Sequence, residues 1–397
     1  MTKALKWIDD QLTEDRAKVM ALAGGCAFLF IMGLALWQMI FVTWGNKYTF
    51  GFDFTSFWAA AKLAVAGNAE WAFDGQRFES LQDLASKVAG VLYWHYPPTW
   101  VALLYPFGWL SPPTALIVYT VLSAGLWVWI VRSMIAGSWL DRVAVLLSPA
   151  FYLCIIGGQN GVLVAGALTL FITGVIHKRD WMIVVACTLL LAKPHFGVLM
   201  PVVLIALGRW RAFGWSAIFG SLFVAFSIWL TGWEYLTAFL ANTETVGSAI
   251  KGEQLLRLQY SAYAFFRSIG VPQTLSLMIQ IPVALAAIVA CWIAFRRNTV
   301  SDDLRIAVFL IGSLMISPYA FQYDMPAFVI GMWFLHRASK SAPIPGQNLA
   351  IALVWIFPAI NRRLHTETDI SWFFVPVACL CAITLIHLYR QAFTKPA

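Results

Sequence analysis

The sequence predicts an all-α, polytopic membrane protein with about 12 transmembrane helices, filling one domain over residues 1–397. Three observations carry this. Apolar residues make up 60% of the chain and charged ones only 12%, more apolar surface than a soluble domain of this size can bury. They occur in runs of membrane-spanning or near-spanning length, divided by short polar breaks. Alternate breaks are rich in Lys and Arg, the pattern of cytoplasmic loops.

Residues 1–18 carry Lys3, Lys6, Asp9, Asp10, Glu14, Asp15, Arg16 and Lys18, and predict a helix lying on a membrane face. The apolar run 19–44 is too long for a cleavable signal, so it is expected to stay as an anchor. A first outer loop with interfacial helices is expected over 45–111. Within it Phe54, Phe57, Trp58, Ala61 and Val65 recur at near-helical spacing, which predicts a helix on the membrane surface. The stretch 97–110 starts at Pro97-Pro98, contains Pro106 and runs into Pro112-Pro113. That suits a re-entrant or surface-lying element better than a span. Further spans are expected near 112–131, 143–157, 160–176, 181–192, 195–207, 213–231, 273–295, 304–320, 323–336, 348–360 and 370–390. A second large outer loop covers 232–272.

Charge fixes the orientation. With 97–110 not crossing and both termini cytoplasmic, Arg132, Arg142, Lys178, Arg179, Arg209, Arg211, Arg296, Arg297, Arg305, Arg337, Lys340, Arg390 and Lys395 all fall inside. The net charge of +8 is then a topological signal, and no nucleic acid is expected as a partner. Asp53, Tyr93-Trp94-His95-Tyr96-Pro97-Pro98, Gly157-Gly158-Gln159-Asn160, Lys193-Pro194-His195, Arg257 and the segment from Ser317 to Asp324 all land on the outer side. Each has a plain structural reading. Asp53 suits a helix N-cap, Gln159 and Asn160 suit loop or cap chemistry, and Lys193 can snorkel to the interface. An interfacial His is ordinary, and Asp324 could pair with a nearby cation. Their common side is what those readings leave unexplained.

These motifs, in order over about residues 51–330, resemble glycosyltransferase family 87: Asp53 in its aromatic setting, Tyr93 and Tyr96 before Pro97-Pro98, Gly158-Gln159-Asn160, Lys193-Pro194, and the late Ser317-Pro318. The resemblance implies the C-type glycosyltransferase fold and a sugar donor carried on a polyprenyl phosphate. It also implies transfer outside the cytoplasmic membrane with inversion, and mannose as the sugar. One departure stands beside it. The family's mannosyltransferases often carry paired His after the late Ser-Pro, where this chain has Tyr319, Phe321, Gln322, Tyr323 and Asp324. Mannose and another hexose both remain open.

Such chemistry needs a base for the acceptor hydroxyl and a cation for the departing phosphate. Asp53 is the expected base and Asp324 the runner-up. Lys193 is the expected phosphate ligand, with Arg257 second. His95 and His195 suit phosphate or sugar, and Tyr93, Tyr96, Gln159, Asn160 and Tyr323 suit substrate hydroxyls. The acceptor is expected to be a lipid-linked or glycan hydroxyl, with membrane lipids around it. The expected location is the inner (plasma) membrane of a bacterium. No cofactor or metal ligand is expected, and a divalent-metal requirement stays open. A transporter or flippase of lipid-linked sugars is the competing class, and a glycan polymerase or ligase a third. There is no Gly-x-Gly-x-x-Gly, Walker-type loop or Asp-x-Asp, so a nucleotide-sugar enzyme is disfavoured. The six Cys fall within predicted spans, and Cys379-x-Cys381 points to two faces of its helix.

The topology is open to direct measurement. Single cysteines in 232–262 or beside Gly158 should react with a membrane-impermeant reagent, and those at Lys178 or Arg296 should not. Labelling at 178 with protection at 158 would overturn the side assigned to every candidate residue.

Overall fold

The computed structural model describes residue 11 and residues 14–37, 51–85, 92–250 and 253–394. The charges of residues 1–10 and the end of the first apolar run, 38–44, lie outside the described residues. The described chain is helical throughout, with a single isolated bridge between Gln259 and Phe321.

Helix α1 (Glu14–Trp37) carries the first apolar run. Helices α2 (Phe54–Val65), α3 (Gly75–Ala85) and α4 (Pro98–Leu104) form a cap, with 3-10 turns at Ala69–Phe73 and Tyr105–Trp109. The segment 97–110 is thus two short helical pieces divided near Pro106. Helix α2 departs from expectation. Its apolar spacing predicts one buried face, but protein covers nearly all of it, leaving Lys62 exposed. The reason is packing from several sides. Trp58 donates its indole N–H to Leu110 O at 3.0 Å, while Phe57 touches the rings of Trp94, Tyr96, Trp100 and Tyr119.

The body follows: α5 (Pro112–Met134), α6 (Trp139–Leu146), α7 (Pro149–Gly157), α8 (Gly161–Ile176), α9 (Asp180–Leu189), α10 (Leu199–Ala206) and α11 (Trp210–Thr231). Then come α12 (Trp233–Ile250), α13 (Glu253–Leu256), α14 (Ala262–Ser268), α15 (Gln273–Arg296), α16 (Asp302–Met315), α17 (Pro326–Ser339), α18 (Gln347–Thr368) and α19 (Phe374–Phe393). The sequence predicts about 12 crossings. Among the described residues four helices, α5, α11, α15 and α19, are long and apolar enough to cross a membrane alone. A fifth span arises if α6 and α7, which meet at 41°, count as one.

The other apolar runs are short arms joined in pairs. Helices α16 and α17 have 14 residues each, about 21 Å at 1.5 Å per residue, against a hydrocarbon core of about 30 Å. An Arg337–Asp303 ion pair of 3.1 Å joins their feet, so the connecting turn with Asp324 is the tip. Helices α9 and α10 are built likewise. Asp180 at the start of α9 pairs with Arg209 just after α10, and the tip between them is Lys193-Pro194. The turn between α7 and α8 supplies a third tip, Gly158-Gln159-Asn160.

Arginines close the foot end. Helix C-termini leave carbonyls unbonded and carry partial negative charge. Arg209 donates to Val175 O at 3.2 Å, Arg296 to Ala206 O at 3.2 Å, Arg142 to Ile135 O at 3.0 Å and Arg305 to Ala294 O at 3.0 Å. The basic loops that orient the chain thus also finish its helices.

At the tips, backbones approach closely. A Cβ on Gly161 would collide with the carbonyl oxygen of Tyr323, whereas one on Gly125 would meet nothing within 4 Å. Gly161→Ala should therefore destabilise the protein by about 1–3 kcal/mol, the usual cost of overpacking, and Gly125→Ala should cost nothing. Thermal unfolding in detergent compares them; equal melting temperatures for the two variants would show that the tips are not held this closely.

Candidate functional site

The site starts from the glycines of the α7–α8 turn. Gly158 ends α7 in the left-handed region at φ 67°. The stretch before α2 docks on the same turn, with Gly51 N–H donating to Ile156 O at 2.6 Å and Asp53 N–H to Gly157 O at 2.9 Å. Asp53 stands at the N-terminus of α2, but its side chain caps nothing there. The carboxylate instead accepts a hydrogen bond from the side chain of Gln159 and lies within electrostatic reach of Lys193. One oxygen sits 3.1 Å from where a Cβ on Gly157 would stand. Burial lifts the carboxyl to about 6, partly offset by Gln159 and Lys193. A base poised near neutral pH is what proton abstraction from a hydroxyl needs.

The second half of the site is an ion pair. Lys193 Nζ donates to Asp324 Oδ1 at 2.7 Å, with side chains only 8% and 1% exposed. Lys193 sits at the break between 3-10 turns Leu190–Ala192 and Pro194–Phe196. Its ammonium lies 5.1 Å from the Tyr323 ring centroid and 5.7 Å from that of Phe196, favourable cation–π positions. Asp324 ends a 3-10 turn, Gln322–Asp324. That turn is anchored by Gln322, whose N–H donates to Leu258 O at 2.9 Å and whose amide donates to Arg257 O at 3.1 Å.

Around this pair, buried polar atoms are left over. Asn160 Nδ2 and Oδ1, Gln159 Oε1, Asp324 Oδ2, Trp100 Nε1 and the Tyr260 hydroxyl have no hydrogen-bond partner among the described residues. Each such group costs about 1–3 kcal/mol if it stays unmet. Their gathering in one place marks a site shaped for a polar ligand. Trp100, Asn160 and Lys193 share the wall of a small internal cavity. The Tyr96 phenol is buried near Asp324 and Asp53; burial, with those charges, pushes its pKa well up, so it stays a donor. Beside the Lys193 tip runs a larger apolar groove of about 660 Å³, between the α9–α10 hairpin and α11. Leu190, Leu191, Pro194 and Gly197 line it on one side, and Ala217 and Gly220 on the other.

The structure therefore brings together Asp53, Tyr96, Gln159, Asn160, Lys193, Tyr323 and Asp324. His95 and His195 are exposed, yet both lie within electrostatic reach of Lys193 and of each other. Tyr93 is exposed; its carbonyl meets His95 Nδ1 at 3.2 Å. Arg257 is also exposed and enters through its backbone, its carbonyl receiving the amides of Gln322 and Asn361. Among the described residues its guanidinium makes no contact with the ion pair.

Sequence reasoning missed three supports. Tyr235 receives the Trp94 indole N–H at 2.6 Å and donates to Tyr96 O at 2.7 Å, locking the 94–96 segment. Thr99 ties α4 to Leu191 O at 2.8 Å, and Gly161 admits Tyr323. Nothing in the sequence sets Tyr235 or Thr99 apart. Gly161 does extend the Gly-Gly-Gln-Asn string.

Comparison with known families agrees with the geometry. The sequence profile of glycosyltransferase family 87 matches residues 94–318, more than half the chain. The chain belongs to glycosyltransferase family 87. No curated protein and no solved structure matches it. The family 87 match contains His95, Tyr96, Gln159, Asn160, Lys193, His195 and Arg257; Asp53, Tyr93, Tyr323 and Asp324 lie beyond its ends and join the site through the fold. Membership in family 87 makes the chain a glycosyltransferase and displaces the transporter reading.

Asp53 should leave a signature in stability. Its folded carboxyl titrates near 6 against an ordinary 3.8, so the fold favours the protonated form. The carboxyl is neutral in both states below about pH 4; as pH rises through 6 the folded protein loses stability, up to about 3 kcal/mol. Asp53→Asn should thus melt higher than the native protein at pH 7.5, with the gain fading towards pH 4. Melting curves across that range check it; no gain at pH 7.5 would mean that Asp53 is not strained by burial.

Proposed function

We propose that this glycosyltransferase moves a hexose, mannose being the first candidate, from a polyprenyl phosphate carrier to a hydroxyl of a lipid-linked or glycan acceptor. Transfer takes place on the outer side of the plasma membrane and inverts the anomeric carbon. The observation that carries the reading is the convergence of Asp53 and Lys193 on one node, beside an apolar groove.

Each part has a task. The Asp53 carboxylate takes the proton of the acceptor hydroxyl. The hydroxyl oxygen forms its bond to the anomeric carbon from the face opposite the phosphate. The old carbon–oxygen bond breaks, and its electron pair stays on the phosphate oxygen. Lys193 balances the charge gathering there, where scarce water makes the interaction strong. The products are the inverted glycoside, polyprenyl phosphate and a proton on Asp53 that passes to solvent. Asn160, Gln159 and the Tyr96 hydroxyl are available to the sugar hydroxyls, and His95 and His195 to the mouth of the site. An apolar groove of about 660 Å³ beside Lys193 suits the first isoprene units of the carrier. The absence of His from the 317–324 segment keeps the identity of the sugar apart from the identity of the carrier.

Asp53→Asn tests the base. With expression matched and folding confirmed, turnover should fall about 10²- to 10⁴-fold. In the native enzyme kcat/KM should fall about tenfold per pH unit below roughly 6, because the base must be ionised. If Asp53→Asn transfers sugar normally and Asp324→Asn does not, the two acids exchange roles.

A further inference from the structure

The two partners of the buried ion pair are held very differently. Asp324 is short, and its turn is fixed. Gln322 is pinned through both backbone and side chain, and the Tyr323 carbonyl is wedged against Gly161. Lys193 is long and hinged at a break in the chain, and among the described residues its side chain makes one hydrogen bond, to Asp324. The rings of Tyr323 and Phe196 cushion the ammonium from two directions, so it can swing without becoming bare. The pair is also undercoordinated. Asp324 Oδ2 is buried and accepts nothing among the described residues, and an ammonium has three N–H groups to give.

A strong anion arriving at Lys193 therefore meets a carboxylate already in possession of it. We propose that Asp324 is a positioning residue that competes with the product phosphate for Lys193 and so drives product release. This rests on the reading of Lys193 as the phosphate ligand. When the donor binds, the ammonium turns from Asp324 towards the phosphate. After transfer the leaving phosphate carries more negative charge than it did in the diester, and so holds Lys193 more tightly at the moment it must depart. A fixed carboxylate within 2.7 Å offers the ammonium an equivalent partner, so release does not leave an unpaired buried charge. Without Asp324 no carboxylate among the described residues would stand at hydrogen-bond distance from Lys193, and the phosphate would hold it alone.

The test measures binding and dissociation of polyprenyl monophosphate on the purified full-length protein in detergent. Lys193→Met should bind about 10- to 150-fold more weakly, the range for a charged hydrogen bond. Asp324→Asn should bind about tenfold or more tightly than native and release the lipid correspondingly more slowly, with kcat falling in step. Asp324→Glu, which restores the charge, should return affinity towards native. Should Asp324→Asn not fold, Asp324→Ser takes its place; if neither folds, the pair is a structural clamp and the proposal falls. Unchanged or weaker binding by the uncharged variant, with Lys193→Met still impaired, overturns the competition but keeps Lys193 as phosphate ligand. Native affinity in Lys193→Met removes that ligand as well, and the proposal with it.

Discussion

A lysine ammonium at the tip of two short apolar helices is the constraint around which this fold is arranged. Removing one partner from a buried ion pair typically costs about 3–5 kcal/mol, because the remaining charge has lost its solvent and gained nothing. The Lys193 tip and the Asp324 tip must therefore arrive together. Each feature nearby serves that meeting: Gly161 lets the Asp324 turn come close, Gln322 fixes that turn, and aromatic faces cover the cation where no oxygen does. A pair of this kind adds little net stability compared with apolar residues of equal volume.

Short arms make such a meeting possible. A helix of 14 residues is shorter than the apolar thickness, and a hairpin of two carries a side chain at its tip into the protein, where Lys193 and Asp324 are buried. Exposed irregular backbone would be costly at that depth, whereas backbone enclosed by protein is tolerated. The turns at Gly158, Lys193 and Asp324 are enclosed in this way by one another. At the opposite end Arg209, Arg296 and Arg305 bond the carbonyls that the helices leave open. Polar recognition is thus concentrated at one end and mechanical closure at the other.

The two ends were not equally legible in the sequence. Hydropathy placed the helices well, because apolar runs and Pro or Gly breaks are local signals; from 112 onward each predicted run holds a helix, though that of 304–320 ends at Met315 and that of 370–390 starts at Phe374. It could not tell a full crossing from half a hairpin, since a run of 13 apolar residues looks alike in both. The amphipathic spacing in 54–65 predicted one covered face, and Tyr96 and Trp100, far along the chain, supplied more of the cover. Charge bias gathered Asp53, Gln159, Lys193 and Asp324 on one side. That Lys193 would bond Asp324, and that Asp53 would face Gln159 in place of capping its helix, depends on contacts between distant segments. Tyr235 shows the limit plainly, for its hydroxyl matters through the backbone of Tyr96 and the indole of Trp94, both far away in the chain.

Burial pushes both carboxyls up, and their different partners are what separates their chemistry. Asp324 has a full positive charge at hydrogen-bond distance, so a proton offered to it would have to displace Lys193. Asp53 has an amide and a more distant cation, and desolvation dominates; its carboxyl is lifted to about 6. A carboxylate bonded to an ammonium must give up that bond to take a proton, while one beside an amide alone accepts a proton readily near neutral pH. Both acids stand within reach of Tyr96, so they border one site. In the proposed reaction the base bonds Gln159 and the phosphate's counter-ion bonds Asp324, so the two act from different segments of the chain.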